Sequence, residues 1–172
     1  MFPKSISVHE IVPTVSTASF SQTNAKMKGI NNKAAAKCSK TITINAPLEN
    51  VWAILSNINH WSTWQKDISK SKLNGELTQK TTFDWKTGGA NIHSTLHTVT
   101  PYSQLGWTGE AFGMFAIHNW TLSEKKGRTI VRVEEIMEGI LVTLFKNFFN
   151  KNLEKGMQNW LYLLKKECET RH

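Results

Sequence analysis

The stretch Gly139 to Cys168 constrains this chain most. It contains no proline, and its apolar residues recur at helical spacing: Leu141, Leu144, Phe145 and Phe148, then Phe149, Leu153, Gly156, Met157, Trp160 and Leu164. At about 1.5 Å per residue the stretch predicts a single helix on the order of 40 Å long. The stripe slips by one position between Phe148 and Phe149, which implies a bend or a wide apolar face. Gly156 falls inside the stripe, where a missing side chain admits another backbone or a ligand. Upstream, Thr41 to Glu138 reads mostly as strands. One long amphipathic helix after a run of strands needs a sheet to lie against, so the fold class is α+β. A curved sheet around one helix can enclose a cavity; equally, the stripe can be plain core.

The strands come in a definite order. KTITINAP alternates apolar and polar residues and reads as a strand. Pro47 then opens a helix, PLENVWAILS, with Val51, Trp52, Ile54 and Leu55 on its buried face. NINHWSTWQKD follows as a second short helix or turn, with Trp61 and Trp64 three apart. Six strand-like runs come next, separated by Asn74-Gly75, Gly88-Gly89, Pro101 and Lys126-Gly127. Short turns between successive strands imply an antiparallel meander.

Residues 1–38 are expected to form a flexible basic arm, and residues 39–172 the folded domain. The arm is rich in Ser, Thr, Asn and Lys and has little apolar periodicity, although VHEIVPTV suits a short extended segment. It is hydroxyl-rich and poor in acid, as a transit peptide is, but lacks the arginine of a mitochondrial one. No basic start followed by an apolar core marks a secretory signal.

Charge excludes some functions. The net charge is +8, from 21 Lys plus Arg against 13 Asp plus Glu. Residues 1–40 hold six lysines and one glutamate, so five of the eight charges lie there. Arginine is confined to Arg128, Arg132 and Arg171. A nucleic-acid module would carry an arginine-rich stripe with interleaved aromatics, so no nucleic-acid partner is expected. Cys38 and Cys168 are the two cysteines, and no Cys/His cluster has zinc spacing. Two lone thiols fit a reducing, cytoplasmic setting. No apolar run reaches the length of a membrane span. No GxSxG, Cys/His nucleophile pair or glycine-rich phosphate loop occurs, and no cofactor or metal is expected.

The segment ITINAPLENVWAILSNINHWSTWQKDI resembles the opening of the polyketide cyclase/dehydrase and lipid-transport family, within the START-like (SRPBCC, birch-pollen-allergen-like) superfamily. The matching features begin with a strand ending in Ala46-Pro47, the pair Val51-Trp52, and Trp61 and Trp64. Val99-Thr100-Pro101, Leu105-Gly106-Trp107, Ile117-His118-Asn119-Trp120 and the run Val131 to Gly139 follow in order. The resemblance covers roughly Ser39 to Lys166. It implies a helix-grip fold, in which a seven-stranded antiparallel sheet wraps the C-terminal helix around a hydrophobic cavity. It also implies binding of lipids, polyketides or other apolar molecules, and in some members cyclisation or hydration in the same cavity. No catalytic set is shared across the family, so none carries over.

Strand alternation proposes the cavity's lining. A hairpin turn centred at Lys125-Lys126 would set Trp120 opposite Val131 and His118 opposite Val133. Met114, Ala116, His118, Trp120 and Leu122 then share a face with Val131, Val133, Glu135 and Met137, and Glu135 becomes a diagonal neighbour of His118. A His and a carboxylate facing an apolar space can be a general base with its orienting partner, a ligand's polar anchor, or a buried pair satisfying each other. The remaining expected lining is Trp64, Phe83, Trp85, Trp120, Val131, Val133, Met137, Phe145, Phe148, Gly156 and Met157, with Trp61 and Trp64 at the rim. His93 and His97 share a face opposite Ile92, Ser94 and Leu96. The more apolar set should point inward and leave both histidines out, but if Trp107 faces inward and pairs with position 97 this reverses, so their direction stays open. As a pair on a strand they do not suit a metal.

Three readings follow. The leading one is cofactor-free binding of an apolar or aromatic small molecule. The second is a cyclase, dehydratase or hydrolase using His118 and Glu135. The third is an interaction module whose interior is only core.

Overall fold

A computed structural model describes residues 27–170. Residues 1–26, most of the expected arm, lie outside the described residues. The alternation in AKCSKTITI becomes β1, Ala36–Ile44, whose side chains alternate between core and solvent from Ala36 to Ile44. This strand begins upstream of Ser39. Residues 27–35 also have partners: Ile30 and Ala34 pack on Ile117 and Ile136, on the sheet's outer face. Asn119 Nδ2 donates to the Lys28 carbonyl at 2.9 Å, and Asn31 Nδ2 to Glu138 at 2.7 Å.

Helix α1, Leu48–Ser56, starts after Pro47 and buries Val51, Trp52 and Leu55. A 3-10 turn at Ile58–His60 leads into the single-turn α2, Trp61–Trp64. Six strands follow: β2 (Ile68–Leu73), β3 (Thr82–Thr87), β4 (Ala90–Thr100), β5 (Gln104–Ala111), β6 (Met114–Lys125) and β7 (Arg128–Glu138). From β2 onward each pairs antiparallel with its successor, and β1 joins beside β7, giving the order β1-β7-β6-β5-β4-β3-β2. This is the seven-stranded helix-grip arrangement.

The β6–β7 register differs from expectation by two residues. Lys126 (φ 54°) and Gly127 (φ 71°) form the two-residue turn, with Lys125 opposite Arg128. Two central residues at positive φ match the right-handed twist of the flanking strands, and glycine takes the second at no steric cost. Moving the turn centre by one residue moves every pairing by two. Trp120 therefore faces Val133, and His118 faces Glu135 directly.

The long helix is also interrupted. Gly139 leaves β7 at φ 139°, where an added Cβ would lie 3.0 Å from the Gly113 carbonyl oxygen. A short helix α3, Ile140–Leu144, follows, and Phe145 breaks the path with φ −111° and ψ 38° before α4, Lys146–Thr170. Helix α4 grips the sheet through Leu153, Met157, Trp160, Leu161 and Leu164, and α3 adds the buried Val142. At the end of α3, at the break and in the first turn of α4, Leu144, Phe145 and Phe148 stand 70%, 58% and 63% exposed. Their spacing continues the apolar stripe, but they lie on the side turned away from the sheet, while Val142 and Phe149 face the core.

Candidate functional site

The interior beneath α4 is filled mainly by indoles. Trp160 reaches down from the helix to the rings of Trp61, Trp64, Trp85 and Trp120, with centroids 5.2–6.5 Å apart. Phe83 and Trp107 close on Trp61 from the sheet at 5.5 and 5.3 Å. Edge-on and tilted contacts at these distances suit aromatic quadrupoles. The Trp61 Nε1–H is satisfied by the Leu55 carbonyl at 2.8 Å.

One end of the concave face stays open, and cross-strand rows explain where. Leu96, Trp107, His118, Glu135 and Cys38 stand side by side across β4, β5, β6, β7 and β1. These are bulky. The next row is Ser94, Gly109, Ala116, Met137 and Ala36, mostly small. Above the small row lies a cavity of about 230 Å³, walled by Trp85, Ile92, Trp107, Met114 and Met137, with His118 and Glu135 in its lining. Gly109 helps to keep it open, since an added Cβ would meet Ser94 Oγ at 3.0 Å and Ile92 Cγ2 at 3.2 Å.

The polar groups in this cavity are few. His118 Nδ1 lies 2.8 Å from Glu135 Oε2, with side chains only 5% and 14% exposed. The imidazole stacks on Trp107 at 4.3 Å and 9°, with Trp120 5.5 Å away. A carboxylate on Nδ1 holds that proton there, so in the neutral ring the lone pair is on Nε2. Nε2 is buried and has no hydrogen-bond partner in the protein. Ser94 Oγ accepts from Trp85 Nε1 at 3.0 Å, leaving its own hydroxyl hydrogen for another acceptor. The cavity can thus hold an apolar body, with the His118–Glu135 pair and the Ser94 hydroxyl as polar groups in its lining.

Of the residues expected to line a cavity, Trp85 and Met137 do so, together with His118 and Glu135. Trp64, Phe83, Trp120, Val131, Val133 and Met157 are buried in the core instead. Trp61 and Trp64, expected at the rim, are 0% and 4% exposed. Phe145 and Phe148 face solvent. Gly156 is not at a close approach, because an added Cβ would meet nothing within 4 Å. It lines an open depression beside α4 with Asp67, Lys151 and Tyr162, most of whose lining residues are polar or charged. Ala116 and Ser94 lie on the faces expected to point inward, Gly109 was not among the expected lining, and the facing of Trp107 was open; only a correct register brings the four together.

Both open histidines lie off the cavity. Trp107 faces inward, but a bulge between Leu96 and Thr98 pairs it with Leu96 rather than His97. His93 is exposed, 2.7 Å from Asp84. His97 lies over Gly106 on the outer face beside Asn119. Burial, reinforced by Lys28, lowers its pKa to about 4. Among the described residues no group of three or more His, Cys, Asp or Glu could hold a metal ion.

The family described as polyketide cyclase / dehydrase and lipid transport matches residues 35–169. The chain belongs to this family. No curated protein matches the sequence. Among solved structures, a hypothetical protein of Helicobacter pylori is similar, with a TM-score of 0.73 at 17% identity, covering 95% of this chain and 99% of that one. A START superfamily protein from Mycobacterium smegmatis gives 0.62 at 12% identity, covering 79% and 99%. The di-domain ARO/CYC StfQ from the steffimycin biosynthetic pathway gives 0.68 at 10% identity, covering 79% of this chain and 51% of StfQ. These likenesses establish the helix-grip fold of the family member described here. No helix among the described residues is long and apolar enough to cross a membrane.

Proposed function

We propose that this protein binds a small apolar or aromatic molecule in the cavity above Ser94, Gly109 and Ala116, with the ligand's single polar group on His118 Nε2. The observation that carries this is a mainly apolar cavity whose lining includes His118, a residue with one buried, unpartnered ring nitrogen. A buried polar atom without a partner costs about 1–3 kcal/mol, and a ligand hydroxyl would recover it. At about 30 Å³ per water molecule, the space suits a ligand with on the order of ten non-hydrogen atoms inside it. Family membership supports an apolar ligand, and the indole-filled interior limits its size. A cytoplasmic setting without a cofactor belongs to the same proposal.

A second reading is favoured by the Glu135 carboxylate on Nδ1. That pairing makes Nε2 a proton acceptor of the kind used in general-base catalysis of cyclisation or dehydration. Binding and catalysis then share one nitrogen.

The test uses an environment-sensitive apolar dye and matched competitors, such as a phenol and the corresponding toluene. Displacement of the dye by both is expected. His118→Ala should weaken the phenol by about 5- to 150-fold, the equivalent of 1–3 kcal/mol, and leave the toluene nearly unchanged. Equal loss for both would make His118 structural. Failure of the folded protein to take up any such probe would leave the interaction-module reading.

A further inference from the structure

The segment after β7 exposes what a soluble surface ordinarily hides. Ile140 is 79% exposed, and Leu144, Phe145 and Phe148 stand out beside it on α3 and the first turn of α4. A contiguous apolar cluster of this kind marks an interaction site. Its neighbour across the Gly139 contact is the β5–β6 turn. There Phe112 is 73% exposed at φ 51°, in the first central position of a two-residue turn with Gly113. That position favours Asn, Asp or Gly. The corresponding turns between β3 and β4 and between β6 and β7 use Gly88-Gly89 and Lys126-Gly127. An exposed phenylalanine in a left-handed conformation serves neither the turn nor the core. Phe112 also lines the cavity beside Met114, so the apolar cluster and the cavity adjoin.

Charge around the cluster selects its occupant. Lys33 and Lys146 flank Gly139 and Thr143 in one shallow depression. Lys37 is tied to the same helix end, its amide donating to Asn150 Oδ1 at 3.1 Å. Lys151 follows Phe148 by one turn. Lys28 sits over Phe115 at 5.2 Å. The nearby acids are fewer: Glu138, held by Asn31, and Glu110 at the cavity. Aromatic and aliphatic side chains ringed by lysines match an anionic lipid interface, where the apolar groups enter the acyl boundary and the ammonium groups stay among the phosphates. A two-fold contact with a second copy would instead bring two sets of these lysines to one interface.

We propose that Phe112, α3 and the first turn of α4 form a peripheral docking surface for an anionic lipid membrane. Docking in this orientation turns the mouth of the cavity toward the bilayer. The surface stands whether or not the cavity holds a ligand.

The experiment is flotation of the full chain with phosphatidylcholine vesicles and with vesicles of phosphatidylcholine and phosphatidylglycerol. Binding to the mixed vesicles is expected, weakening as salt rises. Leu144→Ser with Phe148→Ser should reduce it by about tenfold or more without changing the circular dichroism spectrum, because both side chains are exposed. Lys33→Gln and Lys146→Gln should each reduce it roughly fivefold and spare the fold. Ala116→Leu, which fills the cavity, should leave vesicle binding intact, so loss of ligand uptake and loss of docking are read separately. A folded full chain that floats with neither vesicle overturns the proposal. So does vesicle binding indifferent to the Leu144 and Phe148 substitutions. A dimer that those substitutions dissociate, in a chain that ignores vesicles, would assign the surface to a second copy.

Discussion

His118 stands directly across the β6–β7 ladder from Glu135, with Nδ1 2.8 Å from Oε2, and both belong to the lining of the cavity. Glu135→Gln removes the negative charge but keeps the shape. If the carboxylate makes Nε2 a base, a proton-transfer activity should fall by about 10²-fold or more in Glu135→Gln, while affinity for an apolar competitor holds. Turnover assays beside dye displacement separate the two.

Ala116 lies in the small row beneath the cavity. Ala116→Leu should abolish uptake of the apolar dye and cost no more than about 1–3 kcal/mol, the usual range for overpacking. Urea denaturation with dye titration measures both. Gly156→Leu should do the reverse. An added Cβ there meets open space, so dye binding should stay at the wild-type level. Stability should rise by roughly 0.5–1 kcal/mol from helix propensity.

Trp160 is 7% exposed and touches four other indoles. Trp160→Ala should cost about 3–5 kcal/mol, seen as a lowered denaturation midpoint. A loss below about 1 kcal/mol would mean that the cluster closes around the gap.

His97 predicts a pH dependence. Its folded pKa is depressed to about 4 from an ordinary 6.5. Between those values the unfolded chain binds a proton that the folded chain does not, so stability falls as pH drops through this window and is fully present above it. Partial exposure moderates the size of the effect. The melting temperature should therefore decline less from pH 6.5 to 4 in His97→Gln than in the parent chain.

The strand order was legible because each strand alternates and each turn carries its own punctuation. The common inward face of His118 and Glu135 was legible for the same reason. Their direct opposition was not, because register hangs on the turn centre, and Lys126 adopts a positive φ that sequence preference assigns more readily to Asn or Gly. Apolar periodicity correctly picked Leu153, Met157, Trp160 and Leu164 as the gripping face. It could not show that Phe145 and Phe148 face solvent while Val142 and Phe149 face the core, because the break at Phe145 turns the stripe. The cavity itself was invisible, since Ser94, Gly109 and Ala116 are unremarkable residues until they line up.

The packed indoles also give the protein an optical reporter. Excitation energy migrates readily among rings at the 5.2–6.5 Å separations around Trp160. Within this cluster Trp107 lies flat against His118 at 4.3 Å, beside the cavity. Light absorbed elsewhere in the cluster can therefore be emitted from the rings beside the cavity, Trp85 and Trp107. A guest seated against Trp85 and Trp107 would change the emission of the whole cluster without any label.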